Sequence, residues 1–304
     1  MDNNILNGFI NGVEDNNFNV YGVVVRQHGK VIAKHNFREN VFVQMYSASK
    51  TFTAAGIMKA VEENIISLDD KVIDYFTKEE LPDVISENLN KLTIYHLLTM
   101  TTGHKAGTVD VFYYKPCENW IKMFFDAPLV YEPGTHFEYN NGATYILSVI
   151  IQRKTGMMLK DYLMPRIFDP LKIFNPQWDV SPWGYNKGYI GLHLTTEQLS
   201  AMGQMLLNGG TYNGKRILQK KSVEMMTKKH IDNKGYWDDS ETGNGYGFQL
   251  WMNSIPDTYR LDGLFGQFCI VIPKKDAVIT TTCHQEKNQN DIIRLIWDTI
   301  YKEI

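Results

Sequence analysis

The chain has few cysteines and no long hydrophobic run. Its three cysteines, Cys117, Cys269 and Cys283, are odd in number and lack CxxC spacing, so neither a disulfide framework nor a cysteine-rich zinc site is expected. No run of about 18 apolar residues occurs, which argues against a transmembrane helix. The first residues, MDNN, lack the basic and apolar regions of a signal peptide. We therefore expect a cytoplasmic protein with reduced, mostly buried thiols.

Neither sign of charge dominates the sequence. It contains 31 Lys and Arg against 34 Asp and Glu, a formal net charge of −3 at pH 7. A nucleic acid or a membrane surface bound through bulk electrostatics is therefore not expected as a partner. The 304 residues, 43% of them apolar, are enough for one large domain or two ordinary ones. The composition leaves the oligomeric state open.

Several catalytic motifs are missing as well. No serine lies in GxSxG, so a strand-turn-helix nucleophile elbow is not expected. The chain has no GxxxxGK[ST], no GxGxxG after a strand and no HExxH, and its eight histidines do not cluster at metal-ligand spacing. Nucleotide and zinc chemistry both lose support, and we expect neither a cofactor nor a metal.

The spacing of apolar residues predicts the secondary structure of the first two thirds. Apolar runs at 20–26 and 31–35, with a turn between them, predict a β-hairpin. Apolar residues three and four positions apart predict a helix over 47–64. The middle of the chain, roughly 68–183, is predicted to be mostly helical. Its clearest helices cover 94–98 and 142–154.

The last third opens with a helix and continues with strands. Thr195 and Gln198 fit a capping box for a helix that stops at Gly209. Strand-like segments and a terminal amphipathic helix follow, at 247–252, 265–272, 277–282 and 291–301.

Strands at both ends of the chain, around a helical middle, predict an α+β fold. In this fold an antiparallel sheet is built from both termini and flanked by helices, and a mostly helical subdomain is inserted into it. The sheet domain is predicted at 1–66 and 192–304 and the inserted subdomain at 67–191, with the active site between them.

A candidate nucleophile lies in the segment SASK at 47–50. If a helix begins at Ser47, the i, i+3 spacing puts Lys50 beside the Ser47 hydroxyl, where a neutral amine can accept its proton. The helix N-terminus also favours negative charge developing there. By itself the motif is weak, because a chain of this length contains about one SxxK by chance. The alternative is a capping serine followed by a solvated lysine.

The neighbouring segments make this motif specific. YSASKTFT at 46–53 is followed by ISLDDKV at 66–72, LTIYHLLTMTTG at 92–103 and PGTHFEYNN at 133–141. In this order the segments resemble the serine β-lactamase and penicillin-binding-protein superfamily. The resemblance is greatest to its branch of class C β-lactamases, D-aminopeptidases, esterases and 6-aminohexanoate-dimer hydrolases, and it extends over about 20–282.

This resemblance implies a β-lactamase/transpeptidase-like fold and a covalent acyl-enzyme on Ser47, with Lys50 beside it. Tyr139 and Asn141 match the YxN element, which implies a proton shuttle and a donor to the substrate amide. Lys50 and Tyr139 are the two candidates for the base, and the sequence leaves open which of them acts. Both are protonated at neutral pH unless their surroundings lower the pKa. The N–H groups of Ser47 and Leu264 are expected to form the oxyanion hole. The implied substrate is an ester, a small amide or a D-amino-acid peptide.

One element departs from the superfamily pattern. Leu261-Asp262-Gly263 stands where the resemblance expects KTG or HTG. Gly263 keeps the small residue that lets a substrate lie against the strand, but the cation and the hydroxyl are lost. If Asp262 faces the cleft, it repels a substrate carboxylate, which predicts poor β-lactam hydrolysis and a preference for neutral or amine-bearing acyl donors. The alternative is that Asp262 points away and pairs with Arg260 or another cation. Arg260 itself either supplies the missing cation or is a solvated or ion-paired side chain.

Two functions stay open. The first is a serine hydrolase, favoured by the intact Ser47, Lys50, Tyr139 and Asn141, with Tyr139 acting again in reverse during deacylation. The second is a relative of the same fold that binds a ligand or serves as a scaffold without turnover. Several aromatic residues either line the substrate cleft or belong to the core: Phe112, Tyr113, Tyr114, Trp120, Trp183 and Trp237.

Overall fold

The computed structural model describes residues 3–39, 42–105 and 119–304. The strands are β1 Val20–Gln27, β2 Lys30–Asn36, β3 Val43–Gln44, β4 Gln177–Trp178, β5 Leu192–Leu194, β6 Thr211–Tyr212, β7 Lys215–Arg216, β8 Trp251–Met252, β9 Tyr259–Gly263, β10 Gln267–Ile272 and β11 Ala277–Cys283. The α-helices are α1 Asn7–Asp15, α2 Ser49–Glu62, α3 Glu87–Lys91, α4 Ile94–Leu98, α5 Trp120–Asp126, α6 Asn141–Thr155, α7 Leu159–Leu163, α8 Thr196–Leu207, α9 Lys220–Thr227, α10 Asn290–Asp298 and α11 Ile300–Glu303.

A six-stranded antiparallel sheet joins the two ends of the chain. Its strand order is β2-β1-β11-β10-β9-β8, so the N-terminal β1 pairs with the C-terminal β11, for example Val23 with Thr281 and Val25 with Ile279. The predicted hairpin is present as β1 and β2. The α+β fold, with an antiparallel sheet built from both termini, is therefore confirmed.

Helices cover both faces of this sheet, so its central strands have no solvent-facing side. Phe268 and Ile270 of β10 pack with α1 and α10, whereas Cys269 and Val271 join the apolar cluster on the opposite face. This alternation follows from the two-residue period of a strand. On the second face α8 lies so close to the sheet that a Cβ at Gly203 would clash with the Cys269 sulfur.

Two helices that are buried on nearly all sides form the centre of the helical region. The first ten residues of α2 and the first twelve of α6 are buried, as expected of helices inside a core. They pack against each other where a Cβ at Gly56 would come 3.2 Å from Ile151 Cδ1. Because α2 follows Ser47 and α6 follows Tyr139, this packing links the two sequence motifs of the predicted site.

The segment 247–252 was predicted as a strand and is one only at its last two residues. The Gly247 N–H donates to the Leu250 carbonyl at 2.9 Å in a turn, and Gln249 adopts a φ of +59°. Gln249 is held there because its side chain donates to the carbonyls of Leu97 and Leu98, both at 3.0 Å.

The predicted terminal helix and the predicted domain boundary also differ from the structure in detail. The helix is interrupted at Thr299, where φ is −120° and ψ is −88°, so that α10 and α11 are separate. β5 pairs with β4 through Leu192 and Trp178 and with β3. The predicted boundary at residue 191 therefore falls inside a small sheet, and the division into two domains stays a prediction.

The structure describes two of the three cysteines and most of the helices to which the sequence-based expectations refer. Cys269 and Cys283 are buried free thiols, as predicted, whereas Cys117 lies outside the described residues. Among the helices in the described ranges, none is both long enough and apolar enough to cross a membrane.

Candidate active site

Ser47 lies in a 3-10 turn, Tyr46–Ala48, that leads directly into α2. The predicted helix thus begins with this turn before it becomes α-helical at Ser49. Tyr46 has a φ of +46°, a left-handed conformation that costs energy in a residue with a bulky side chain. Lys50 Nζ lies 2.9 Å from Ser47 Oγ. The spacing of the motif therefore brings the amine and the hydroxyl into hydrogen-bond contact, as predicted.

The Lys50 side chain is almost completely buried, with 1% of its surface exposed. Its amine also donates to the Tyr189 carbonyl at 3.2 Å, a partner that the sequence analysis did not identify. Burial lowers the pKa of Lys50 well below its usual range, and the Asp262 carboxylate opposes this effect in smaller measure. Because desolvation penalises the charged form, the structure favours the neutral amine that a general base needs.

This burial predicts a specific pH dependence of stability. Since the pKa of Lys50 is lowered in the folded state, the unfolded chain binds one more proton at pH values between that pKa and about 10.4. The free energy of unfolding therefore falls as the pH drops through this interval, by at most about 1.4 kcal/mol per pH unit. Lys50→Met removes this loss, so its stability relative to wild type should increase from pH 10 to pH 7.

Urea unfolding at pH 7, 8, 9 and 10 measures this difference. Lys302→Met, which removes a lysine that is 62% exposed, controls for the loss of a surface charge. A Lys50→Met variant whose stability difference from wild type is the same at all four pH values would contradict a neutral, buried amine.

Tyr139 joins this pair from the loop before α6. Lys50 Nζ lies 4.8 Å from the centre of the Tyr139 ring. The ring stacks on Trp251 at 5.6 Å between centroids and contacts Trp237 at 5.5 Å, while the Tyr139 N–H donates to the Tyr236 hydroxyl at 3.3 Å. The structure therefore brings Ser47, Lys50 and Tyr139 together from segments 92 residues apart in the chain.

Asn140 and Asn141 have different roles at the start of α6. Asn140 caps the helix, because its Oδ1 accepts a hydrogen bond from the Ala143 N–H at 3.1 Å. Asn141 is the first helical residue and is only 7% exposed, yet its Oδ1 has no hydrogen-bond partner among the described residues. A buried amide oxygen without a partner is costly. This free acceptor is consistent with a substrate contact, although the resemblance implied a donor.

The end of β9 packs directly against the turn that holds Ser47. A Cβ at Gly263 would clash with the Met45 carbonyl oxygen, so only glycine fits at this position. No described residue accepts a hydrogen bond from the Leu264 N–H. The amides of Ser47 and Leu264 thus belong to two segments in close contact, which is the arrangement that the predicted oxyanion hole requires.

Side chains from the C-terminal region hold the turn that carries Leu264. Phe265 has a φ of +67°, its N–H donates to Gln289 Oε1 at 2.5 Å, and its carbonyl accepts from the Gln285 N–H at 3.0 Å. Its ring packs edge-on against Tyr46 at 5.1 Å between centroids. The two strained residues on either side of the predicted oxyanion hole therefore contact each other. Nothing in the local sequence pattern indicated Gln285 or Gln289.

Substituting Gly263 should disrupt this packing. In Gly263→Ala the new methyl group meets backbone, which cannot rotate away, so we expect a loss of about 1 to 3 kcal/mol in stability. We also expect about a 10² to 10³-fold loss in kcat, because β9 and the Leu264 N–H are pushed away from Ser47. Gly243→Ala is the matched control, since its Cβ would meet no described atom closer than 3.4 Å. Equal kcat values for the two variants would contradict the assignment.

Asp262 and Arg260 lie on the same face of β9 and form an ion pair. Arg260 Nε donates to Asp262 Oδ2 at 2.7 Å; the Arg260 side chain is fully buried and that of Asp262 is 13% exposed. Arg260 Nη1 donates to Asn253 Oδ1 at 2.8 Å. Burial raises the pKa of Asp262, and the opposite charges of Arg260 and Lys50 oppose that shift. Arg260 is therefore ion-paired and not solvated.

Two cavities are lined by residues of the candidate site or by their neighbours in the chain. One of about 580 Å³ includes Tyr46, Trp120 and Tyr189 in its walls. The other, of about 280 Å³, includes Asp262 and Trp237. Asp262 therefore both pairs with Arg260 and lines a cavity, so the two predicted alternatives occur together.

The aromatic residues proposed for the cleft divide accordingly. Trp120 lines the larger cavity and also belongs to the apolar core, whereas Trp237 lines the smaller cavity; the sequence left cleft and core open for both. Trp183 is 47% exposed and belongs to neither set of cavity-lining residues. The remaining three, Phe112, Tyr113 and Tyr114, lie outside the described residues.

The described part of the chain contains no group of three His, Cys, Asp or Glu side chains placed to hold a metal ion. Ser47 contacts the amine of Lys50, and the ring of Tyr139 lies beside that amine; an amine and a phenol are groups suited to proton transfer.

Comparison with known proteins agrees with this geometry. The sequence model of one family, beta-lactamase, matches residues 9–298. The chain belongs to the beta-lactamase family. A beta-lactamase of Escherichia coli strain K12 is 21% identical over 245 residues, which cover 73% of this chain and 61% of that protein. The chain thus spans about three fifths of the length of the curated relatives it matches.

Solved structures share the fold of this chain. A proposed 6-aminohexanoate-dimer hydrolase from Bacillus anthracis superposes with a TM-score of 0.78 at 23% identity, covering 97% of this chain and 80% of that one. EstCE1, a hydrolase with promiscuous acyltransferase activity, has a TM-score of 0.78 at 16% identity and covers 98% and 99% of the two chains. The predicted resemblance to the β-lactamase and penicillin-binding-protein superfamily is confirmed.

Proposed function

We propose that the protein is a serine hydrolase that forms a covalent acyl-enzyme on Ser47 and cleaves an ester, a small amide or a D-amino-acid peptide. The observation that carries this proposal is the contact of 2.9 Å between Ser47 Oγ and the buried amine of Lys50. A serine hydroxyl is a weak nucleophile at neutral pH, so a neutral amine in hydrogen-bond contact supplies what it lacks.

Acylation follows from the positions of these groups. Ser47 Oγ attacks the substrate carbonyl carbon while its proton passes to the Lys50–Tyr139 pair. The N–H groups of Ser47 and Leu264 stabilise the tetrahedral oxyanion, which typically lowers the barrier by about 3 to 4 kcal/mol for each donor. Collapse of this intermediate breaks the bond to the leaving group, which takes the proton from Tyr139. Lys50 Nζ lies 4.8 Å from the centre of the Tyr139 ring, so the two residues are placed to serve one proton-transfer path.

Deacylation uses the same groups in the opposite direction. Water attacks the acyl carbonyl, its proton passes to Tyr139, and Ser47 Oγ leaves with a proton from the pair, which restores the starting state. The free Oδ1 of the buried Asn141 accepts a hydrogen bond from a substrate N–H, which supports an amide or peptide substrate alongside esters.

The relatives support this range of substrates. Two relatives that match most of this chain serve as examples. One, from Salmonella typhimurium, carries the proposed name D-alanyl-D-alanine carboxypeptidase. The other is EstCE1, the hydrolase with promiscuous acyltransferase activity. The segment Leu261-Asp262-Gly263 lacks the lysine or histidine of the superfamily pattern. We therefore propose that penicillins and cephalosporins, which carry a carboxylate, are poor substrates.

Covalent labelling distinguishes this function from that of a binding or scaffold protein. We expect intact-mass spectrometry to show the addition of one fluorophosphonate adduct to wild type and none to Ser47→Ala. A panel of p-nitrophenyl esters, nitrocefin and D-amino-acid amides then identifies the substrate class. A wild-type protein that gains no mass and hydrolyses nothing in this panel would instead be a ligand-binding relative of the family.

A further inference from the structure

The cavity of about 280 Å³ beside Asp262 adjoins the proposed reaction centre. Trp237, one of its lining residues, contacts the Tyr139 ring at 5.5 Å between centroids, and Asp262 immediately precedes Gly263 and the predicted oxyanion turn. The remaining lining residues come from the 239–242 segment and from the start of α10: Asp239, Thr242, Asn288, Gln289, Asn290 and Arg294. A substrate bound at Ser47 therefore has room to extend into this cavity.

The charges around the cavity sum to a negative value. Two carboxylates, Asp239 and Asp262, line it together with one guanidinium, Arg294. Arg294 already contacts Asp239 at 2.7 Å and Asp291 at 2.5 Å, so it is satisfied by carboxylates. With Lys50 counted as the neutral amine that its lowered pKa favours, and with Arg260, the partner of Asp262, included, three carboxylates stand beside two guanidiniums. One further positive charge would balance this group.

The accessible charge is the carboxylate and not its partner. The Arg260 side chain has no exposed surface, whereas that of Asp262 is 13% exposed and lines the cavity. Only one Asp262 oxygen, Oδ2, accepts from Arg260. A ligand in the cavity therefore meets the negative end of the ion pair first, and the nearer charge dominates its interaction energy.

An aromatic surface lies beside this carboxylate. Trp237 is 59% exposed, although its φ is +59°, a conformation that a bulky residue adopts only when its surroundings impose it. Its ring stacks on Trp251 with centroids 5.5 Å apart and planes 28° apart. The stacking holds an exposed indole in the wall of an acidic cavity, and an indole face attracts organic cations.

We propose that this cavity binds a cationic group of the substrate, a primary or quaternary ammonium, between Trp237 and Asp262. The protein then prefers esters or amides that carry a positive charge near the cleaved bond over neutral and anionic ones. This inference rests on the proposed hydrolase function and names the substrate class for the same site.

A set of esters with matched shapes tests the proposal. Each p-nitrophenyl ester ends its acyl chain, three to six carbons long, in trimethylammonium, tert-butyl or carboxylate, so the first two differ in charge and hardly in shape. In wild type we expect kcat/KM to be about tenfold higher for the ammonium ester than for the tert-butyl ester at the best length, and lowest for the carboxylate. A tenfold preference corresponds to about 1.4 kcal/mol, within the range of one cation–π contact and one ion pair.

Variants identify the responsible residues. Trp237→Leu alters an exposed side chain and leaves every ion pair intact, and we expect it to reduce the ammonium preference at least threefold. Asp262→Asn should reduce it further, although it leaves Arg260 buried without its partner and needs a check of thermal unfolding. Asp298→Asn, which removes a 74% exposed carboxylate from the same helix as Arg294, is the matched control and should keep the wild-type ratio.

Binding to the inactive Ser47→Ala variant separates the two proposals. Calorimetry should show tighter binding of the trimethylammonium ester than of the tert-butyl ester even where no turnover occurs. If wild type hydrolyses the neutral ester but prefers the carboxylate, or if Trp237→Leu and Asp262→Asn both keep the wild-type ratio, the cation site is overturned and the hydrolase function stands. If no ester is hydrolysed while the ammonium ester still binds preferentially, the hydrolase function fails and the cation site stands.

Discussion

Ser47→Ala should abolish hydrolysis and leave the fold intact. Removal of a catalytic serine typically costs about 10⁶ in kcat, because no other group can form the acyl-enzyme. The effect on stability should be small, since the Ser47 side chain does not cap α2. Lys50 keeps its hydrogen bond to the Tyr189 carbonyl. Steady-state kinetics on the purified variant, with circular dichroism and thermal unfolding, measures both effects.

The chain offers a matched control two residues away. Ser49 is also buried at the start of α2, and its Oγ accepts a hydrogen bond from the Leu192 N–H at 3.3 Å. Ser49→Ala should therefore cost about 1 kcal/mol in stability and retain most of the activity. More than a few per cent of residual activity in Ser47→Ala, in a sample free of wild type, would show that another residue is the nucleophile.

Lys50 and Tyr139 should behave as a single catalytic unit. Lys50→Met and Tyr139→Phe should each lower kcat/KM by about 10² to 10⁴, the usual contribution of general acid–base catalysis. Because both residues serve one proton-transfer path, the double variant should be scarcely slower than the slower single variant. The basis for this expectation is the distance of 4.8 Å between Lys50 Nζ and the centre of the Tyr139 ring.

A double-mutant cycle of four proteins provides the measurement. Combining Lys50→Met with the distant Asp298→Asn controls for additivity, since changes at sites without shared contacts should multiply. If Lys50→Met and Tyr139→Phe also multiply, each residue acts by itself and the shared-base mechanism is wrong. Binding of a substrate to each variant, measured in the Ser47→Ala background, separates catalytic loss from loss of affinity.

Local sequence was sufficient wherever the deciding interactions are short in range. The β1–β2 hairpin follows from two alternating segments and a turn. The helix α8 begins at its predicted capping box, in which the Thr195 side chain accepts from the Gln198 N–H and the Gln198 side chain accepts from the Thr195 N–H. The contact between Ser47 and Lys50 follows in the same way from one helical turn. The order of several such motifs was enough to predict the family and its fold.

Tertiary packing decided the features that depend on residues far apart in the chain. The carbonyl that fixes the Lys50 amine belongs to Tyr189, 139 positions away, and no local period encodes such a pairing. Strand alternation put Arg260 and Asp262 on one face of β9, but only the covering structure, including α10, made that face a buried ion pair at the edge of a cavity. The conformation of the oxyanion turn likewise depends on Gln289, 24 residues from Phe265, because the Gln289 side chain accepts a hydrogen bond from the Phe265 N–H. Motif spacing thus determined which groups are present at the site. The packing of distant segments set the burial and charge of their surroundings, because desolvation depends on everything that surrounds a group in three dimensions.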